Sequence, residues 1–402
     1  MARIATLAAL LAVALAPAAQ AADPAGTVHA LDRQMRSAGG GSSAYVVDLG
    51  TGQPLYDRGG DVPRIPASVN KLYTTAAALT RYGADGQVTT EVLAATAIDE
   101  ELGVLTGNLY LRGGGDPTFG PGEIRRLANR LAGMGLTEVT GRVIGDESRF
   151  DALRGGPASS FGVSSWVGPL SALAYNRGTT EGRRPRWQPD PALYAAQRLE
   201  RALERAGVEV GRAARKGVAP LDALTLAGIE SPTMAVLAGQ VNRPSDNFMA
   251  ETLIKALGAD HGGGGSTAGG TAVARQVAAE YGAHPQMLDG SGLSRRNRTS
   301  PHDVVDLLQG MDSSDVAEAF ETSLAVAGRS GTLERRMRVT AARDRCRAKT
   351  GTLNGVSALA GYCDGRAGAR TAFAFLMNGV TVWTAHPLQD RMAAALARYR
   401  SR

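Results

Sequence analysis

Lysine is nearly missing from this chain. Of its 402 residues only Lys71, Lys216, Lys255 and Lys349 are lysine, and the rest of the basic side chains are arginine. Arginine stays protonated in a protein, whereas a buried lysine can be made to give up its proton, so each lysine kept is worth locating. Histidine is also scarce. His29, His261, His284, His302 and His386 show no metal-ligand spacing, so no metal site is expected. The glycine-rich "HGGGGSTAGGT" lacks the flanking strand and lysine of a phosphate-binding loop, which argues against a nucleotide, and no other cofactor is expected. Aromatic residues make up only 5% of the chain and the arginines are scattered, so the formal charge of +6 does not mark a nucleic-acid surface. It suits anionic envelope polymers better, and genome composition alone accounts for the arginine usage equally well. Beyond the first residues no apolar run approaches ~20 residues, which excludes a transmembrane anchor. No Gly-x-Ser-x-Gly occurs, so the commonest Ser-His-Asp hydrolase pattern is absent.

What is present begins with "MARIATLAALLAVALAPAAQAAD". Arg3, an apolar stretch from Ile4 to Leu15 and the small residues Ala19-Gln20-Ala21 read as a signal peptide over residues 1–22. The mature protein is expected to be exported, to a periplasmic or extracellular envelope. Export lets the two cysteines pair. Cys346 and Cys363 flank a hairpin turned at Asn354-Gly355, and counting outward from that turn sets them opposite each other. The register favours a cross-strand disulfide over two buried free thiols.

The patterning predicts an α+β fold. A short helix over "TVHALDRQMRSAG", a hairpin turned at Gly50-Thr51-Gly52 and a helix opening at Pro66 come first. From residue 86 strands dominate, with helices over "GEIRRLANRLAGMG" and "PALYAAQRLERALERAG". Two further strands, read as a pair, end at "LTLAGIES". Helices return after Pro232, and three successive strands and a helix close the chain.

"IPASVNKLYTTAAAL" places Ser68 and Lys71 at i, i+3 on one face of a helical turn. A serine hydroxyl attacks a carbonyl only when a neighbouring base takes its proton. A buried lysine near a second cation has the depressed pKa such a base needs. The pattern alone is expected by chance roughly 0.2 times in this chain. It does not stand alone. Ser245-Asp246-Asn247 is the only Ser-x-Asn outside the Ser68 stretch itself, and Lys349-Thr350-Gly351 is the only Lys-Thr-Gly. All three in this order reduce coincidence to well below about one per cent. "DGSGLS" offers Ser291, but with no lysine or histidine beside it this reads as a tight turn next to the site.

With these motifs the chain resembles the serine acyl-transfer enzymes that react with penicillin. "GGGDPTF", "SSWVGPLSALAYN", "PSDNFMAETLIKALGA", "DGSGLSRRNRTSP" and "KTGTLNGVSALAGYC" are similar to the exported D-alanyl-D-alanine carboxypeptidase/endopeptidase family, peptidase family S13, across nearly the whole mature chain. That family carries a β-lactamase/transpeptidase-like domain, an antiparallel sheet flanked by helices. Here it would span residues 23–85 and 225–402, with a β-rich insert over 86–224. The resemblance implies cleavage of peptidoglycan peptides ending in D-Ala-D-Ala, and of D-amino-acid cross-links, with β-lactams as covalent inhibitors. It makes Ser68 the nucleophile, Lys71 its base and Ser245 the proton relay. Asn247 would hold the substrate amide, and Lys349, Thr350, Gly351 and Thr352 would form the carboxylate-binding strand. The N–H groups of Ser68 and Thr352 would make the oxyanion hole. A serine β-lactamase is the alternative, but the Glu-x-x-Leu-Asn stretch of the class A enzymes is absent. A non-catalytic wall-binding protein is another, and the intact motifs argue against it.

Overall fold

The computed structural model describes residues 23–401, so the segment read as a signal peptide lies outside the described residues. Helix α1 (Pro24–Ser37) starts where the Asp23 carboxylate accepts from Gly26 N–H, with proline at the first helical position. Strands β1 (Ser42–Asp48) and β2 (Gln53–Arg58) form the first hairpin. Helix α2 (Lys71–Tyr82) follows a short 3₁₀ turn, Ala67–Asn70.

A second layer then intervenes. Its elements are β3 (Thr89–Ala94), β4 (Val104–Leu105), β5 (Leu109–Arg112), α3 (Pro121–Gly133), β6 (Glu138–Asp146), α4 (Pro191–Arg205), β7 (Glu209–Lys216) and β8 (Leu224–Glu230). The sheet is mixed. β6 runs parallel to β4, β5 and β7, while β3 runs antiparallel to β5 and β8. The two strands read as a pair from sequence do not pair with each other. Helix α4 carries the chain over so that β7 lies parallel to β6, and β8 crosses to the far side to join β3. Since β8 runs to Glu230, this layer closes there rather than at residue 224.

The chain returns through α5 (Met234–Asn242), α6 (Asn247–His261), α7 (Thr267–Glu280), α8 (Pro301–Asp312) and α9 (Ala317–Thr322). Part of the glycine-rich stretch read as loop belongs to α7, capped by Ser266. Its Gly270 lets α7 lie directly on α6, because a Cβ there would collide with the carbonyl oxygen of Ile254.

Strands β9 (Ala325–Val326), β10 (Cys346–Leu353), β11 (Val356–Asp364) and β12 (Arg370–Asn378) and helix α10 (Val382–Leu396) complete the fold. The main sheet is antiparallel throughout, in the order β2-β1-β12-β11-β10-β9. It is buried on both faces. Ala358, Ala360 and Tyr362 of β11 meet the core of α2 and α5–α8, while Leu359 and Cys363 meet α1 and α10. In the β10–β11 hairpin Cys346 pairs with Cys363 and Leu353 with Val356. The two cysteines form a disulfide with a Cα–Cα distance of 4.1 Å. Turn residue Gly355 takes φ +71°, the conformation for which glycine is suited there.

Candidate active site

Ser68 does not lie in the first turn of α2 but in the 3₁₀ turn just before it. That turn is strained. Ala67 is fully buried with φ +48°, a left-handed conformation that costs an L-residue roughly 1–2 kcal/mol. Two glycines allow the turn to be gripped from both sides. A Cβ on Gly292 would strike the Ala67 carbonyl oxygen, and one on Gly351 would come 3.1 Å from the backbone nitrogens of both Ser68 and Val69. Gly351 of the Lys-Thr-Gly motif thus lets strand β10 press its backbone against the turn that presents Ser68.

The three motifs converge. Lys71 is fully buried and its Nζ donates to Ser68 Oγ at 2.8 Å, Asn247 Oδ1 at 2.7 Å and the Ser291 carbonyl at 2.6 Å. Lys349, also fully buried, donates to Ser245 Oγ at 2.7 Å and to the Thr350 carbonyl at 2.8 Å. Ser245 holds φ +64°, a second strained residue at the site. Thr350 Oγ1 donates to Thr332 Oγ1 at 2.8 Å, and Thr352 stands exposed at the mouth. Ser68, Ser245, Asn247, Thr350 and Thr352 line one cleft of about 900 Å³.

Burial pushes the Lys71 ammonium down to about 8, against the pull of Asp289, Glu251 and Asp246. The second cation expected to cause this, Lys349, is instead the one that feels the effect of Lys71. Lys349 is held well below the usual lysine range by its own burial and then by the charge of Lys71.

Sequence reasoning passed over several members of the site. Asp289 accepts from the N–H groups of Gly292 (2.8 Å) and Ser294 (2.6 Å) and from Asn297 Nδ2 (2.8 Å). It thereby fixes the tight turn read in "DGSGLS", and that turn contributes the Ser291 carbonyl and no nucleophile. The 3₁₀ turn and helix α2 grip the same turn through Asn70 Nδ2 to the Asp289 carbonyl and Thr74 Oγ1 to the Gly290 carbonyl, both 2.8 Å. Glu251, one helical turn after Asn247, receives Ser291 N–H at 2.8 Å. Its i, i+4 spacing from Asn247 was the available signal. The intervening layer supplies a wall, with Gly156, Pro157 and Trp166 in the cleft and Asn247 Nδ2 donating to the Trp166 carbonyl at 3.2 Å. That wall carries no reactive cluster in sequence, which is why composition gave no hint of it.

With this geometry in view, the chain matches the D-Ala-D-Ala carboxypeptidase 3 (S13) family over residues 27–186 and 180–399. The chain belongs to that family. It is 32% identical to a D-alanyl-D-alanine carboxypeptidase from an Actinomadura species, covering 89% of this chain and 81% of the relative. It is 31% identical to carboxypeptidase DacB from Mycolicibacterium smegmatis, covering 87% and 79%. In fold, this S13 chain is similar to penicillin binding protein 4 from Haemophilus influenzae, with a TM-score of 0.78 at 20% identity over 90% of this chain and 97% of that one. A predatory peptidoglycan endopeptidase from Bdellovibrio bacteriovorus aligns with a TM-score of 0.54 at 18% identity, over 84% and 85% of the two chains. The α+β assignment and the S13 resemblance read from sequence both agree with these findings. Among the described residues no helix is long and apolar enough to cross a membrane.

Proposed function

We propose that this protein is an exported serine-type D-Ala-D-Ala carboxypeptidase, acting on peptidoglycan stem peptides through an acyl-enzyme on Ser68. The observation that carries the reading is the environment of Lys71. As a neutral amine it has two N–H donors, which suit Asn247 Oδ1 and the Ser291 carbonyl, and a lone pair directed at the Ser68 hydroxyl 2.8 Å away. It is then placed to take the proton as Ser68 Oγ attacks the penultimate D-alanine carbonyl.

The other roles follow from position. The Ser68 and Thr352 N–H groups receive the oxyanion, which the close approach at Gly351 supports. Lys349, Thr350 and Thr352 receive the terminal carboxylate, helped by Arg295 and Arg296 at the cleft rim. Ser245, held by Lys349, passes a proton to the leaving D-alanine amine, and Asn247 keeps Lys71 aligned while facing the substrate amide. Water then hydrolyses the ester and frees Ser68. When the leaving amine belongs to a second stem peptide, the same steps cut a D-amino-acid cross-link. β-Lactams acylate Ser68 in place of the peptide. The penicillin-reactive domain comprises residues 23–85 and the chain after the inserted layer, and residues 1–22 direct export.

The test is D-alanine release from a D-Ala-D-Ala peptide by the purified mature protein. Release that Ser68→Ala abolishes is expected. No release from the peptide, with rapid turnover of penicillin, would transfer the assignment to a β-lactamase.

A further inference from the structure

Glu251 is a buried carboxyl group to which the acyl-transfer steps above give no task. It is 1% exposed, and it sits on α6 between Asn247 and Lys255, one helical turn from each. Its Oε1 accepts from Ser291 N–H at 2.8 Å, and the carbonyl of that same residue accepts from Lys71 Nζ at 2.6 Å. Oε2 is buried with no hydrogen-bond partner. The backbone of Gly156 closes over it, so that a Cβ there would lie 3.6 Å from the carboxyl group. A carboxylate without solvent depends on nearby cations to stay ionised. Those facing Glu251 are Lys71 from α2 and Lys255 from its own helix. Asp289 from the tight turn opposes them. Asp246 at the head of α6 also acts on Lys71, as Asp151 and Arg154 act on Lys255, and Lys349 of β10 lies against Lys71.

We propose that Glu251 is a positioning residue for Lys71, holding the Ser291 peptide that orients the amine and setting by its charge how readily the amine takes the Ser68 proton. The proposal rests on the acyl-enzyme reading of Ser68 and Lys71. Two effects follow from one side chain. The hydrogen bond to Ser291 fixes where Lys71 points, and an ionised carboxylate raises the proton affinity of Lys71. Burial, and then Asp289, push Glu251 itself up to about 7, so its own proton comes off close to where Lys71 loses one.

The experiment is the second-order rate of Ser68 acylation by benzylpenicillin, followed by intact mass across the pH range in which Lys71 titrates. Wild type, Glu251→Gln and Glu251→Asp are compared, with melting temperatures as a check on folding. Glutamine keeps an acceptor for Ser291 but carries no charge. The pH of half-maximal acylation is expected to move down by about one unit, because the neutral amine is then favoured. Its plateau rate should fall up to ~10-fold, since the amine is a weaker base. Aspartate keeps the charge but retracts from Ser291, so the rate should fall about 10-fold with the half-maximal pH within a few tenths of wild type. A glutamine variant whose profile stays in place, whatever its rate, would reduce Glu251 to a structural group and overturn the proposal. If glutamine does not fold, an aspartate variant indistinguishable from wild type overturns it instead. A wild-type protein that takes up no penicilloyl group at any pH sinks the acyl-enzyme reading itself, a result recognisable before any variant is made.

Discussion

Three of the four lysines are fully buried, Lys71 and Lys349 bonded to Ser68 and Ser245 of the cleft and Lys255 to Asp151, and only Lys216 reaches solvent, beside Glu147. For Lys71 the proposed role supplies a chemical reason, since a base at this position must be able to exist as the neutral amine. The fraction of neutral amine rises with pH. Acylation of the wild-type enzyme is therefore expected to climb with pH and to reach half its maximum near the Lys71 value of about 8, measured as the rate of penicilloyl adduct formation. Lys71→Arg should lower that rate at least ~1,000-fold at every pH, because a guanidinium does not deprotonate there. Lys349 should behave differently. If it receives the substrate carboxylate, Lys349→Ala should reduce turnover of carboxylate-bearing peptides at least ~10-fold more than turnover of esters lacking that group. Equal losses on both substrates would mean that it acts on the site as a whole. At this scale the sequence was highly legible for Ser68, Lys71, Ser245 and Lys349, whose spacing and scarcity marked them. It was poor for Asp289 and the Ser291 carbonyl, because a carbonyl has no sequence signature and a turn-binding aspartate resembles any other.

Among the elements, the β10–β11 hairpin was readable to the residue. Asn354-Gly355 fixes the turn and the turn fixes the register, which sets Cys346 against Cys363. The disulfide closes the end of the hairpin away from the turn and clamps the strand that carries Lys349. Non-reducing peptide mapping should recover a Cys346–Cys363 pair, and two alkylatable thiols in the oxidised protein would contradict it. Cys346→Ala with Cys363→Ala should lower stability by ~3 kcal/mol in denaturant titration, the amount set by the short closed loop. The parallel strands were less readable. β7 could pair anywhere that α4 carried it, and nothing local distinguishes a partner in β6 from one in β8. Helix α7 was obscured for another reason. Glycines that speak for a loop in isolation serve there to let two helices touch, and only the packed neighbour makes that visible.

Across the whole molecule, the residues proposed to carry acylation come from the main sheet and its helices, while the second layer lends a wall to the cleft. The carboxyl groups lining the cleft are, among the described residues, Glu251 and Asp289, and both are buried and turned into the protein. Neither is exposed to hold a water against an ester on Ser68. Penicillin's opened ring also stays attached where water must approach, whereas D-alanine leaves. The penicilloyl adduct is therefore expected to outlast many turnovers of a D-Ala-D-Ala peptide, as read by intact mass after mixing with benzylpenicillin, with Ser68→Ala as control. Each tenfold gain in lifetime needs only ~1.4 kcal/mol, so a missing water base is sufficient cause. An adduct that clears as fast as the peptide turns over would refute this account.

The pairing of β1 with β12 joins Ser42 to Met377. A chain made from its N-terminus possesses Ser68 and Lys71 early, but Lys349 and the strand that pins the Ser68 turn come near the end. The main sheet has no neighbour for β1 on that side until β12 arrives. A half-made chain would thus hold the proposed nucleophile in an unfinished setting, without the strand proposed to complete the oxyanion hole and bind the carboxylate. On the proposed reading, Ser68 would be armed last, once the two ends of the main sheet have met.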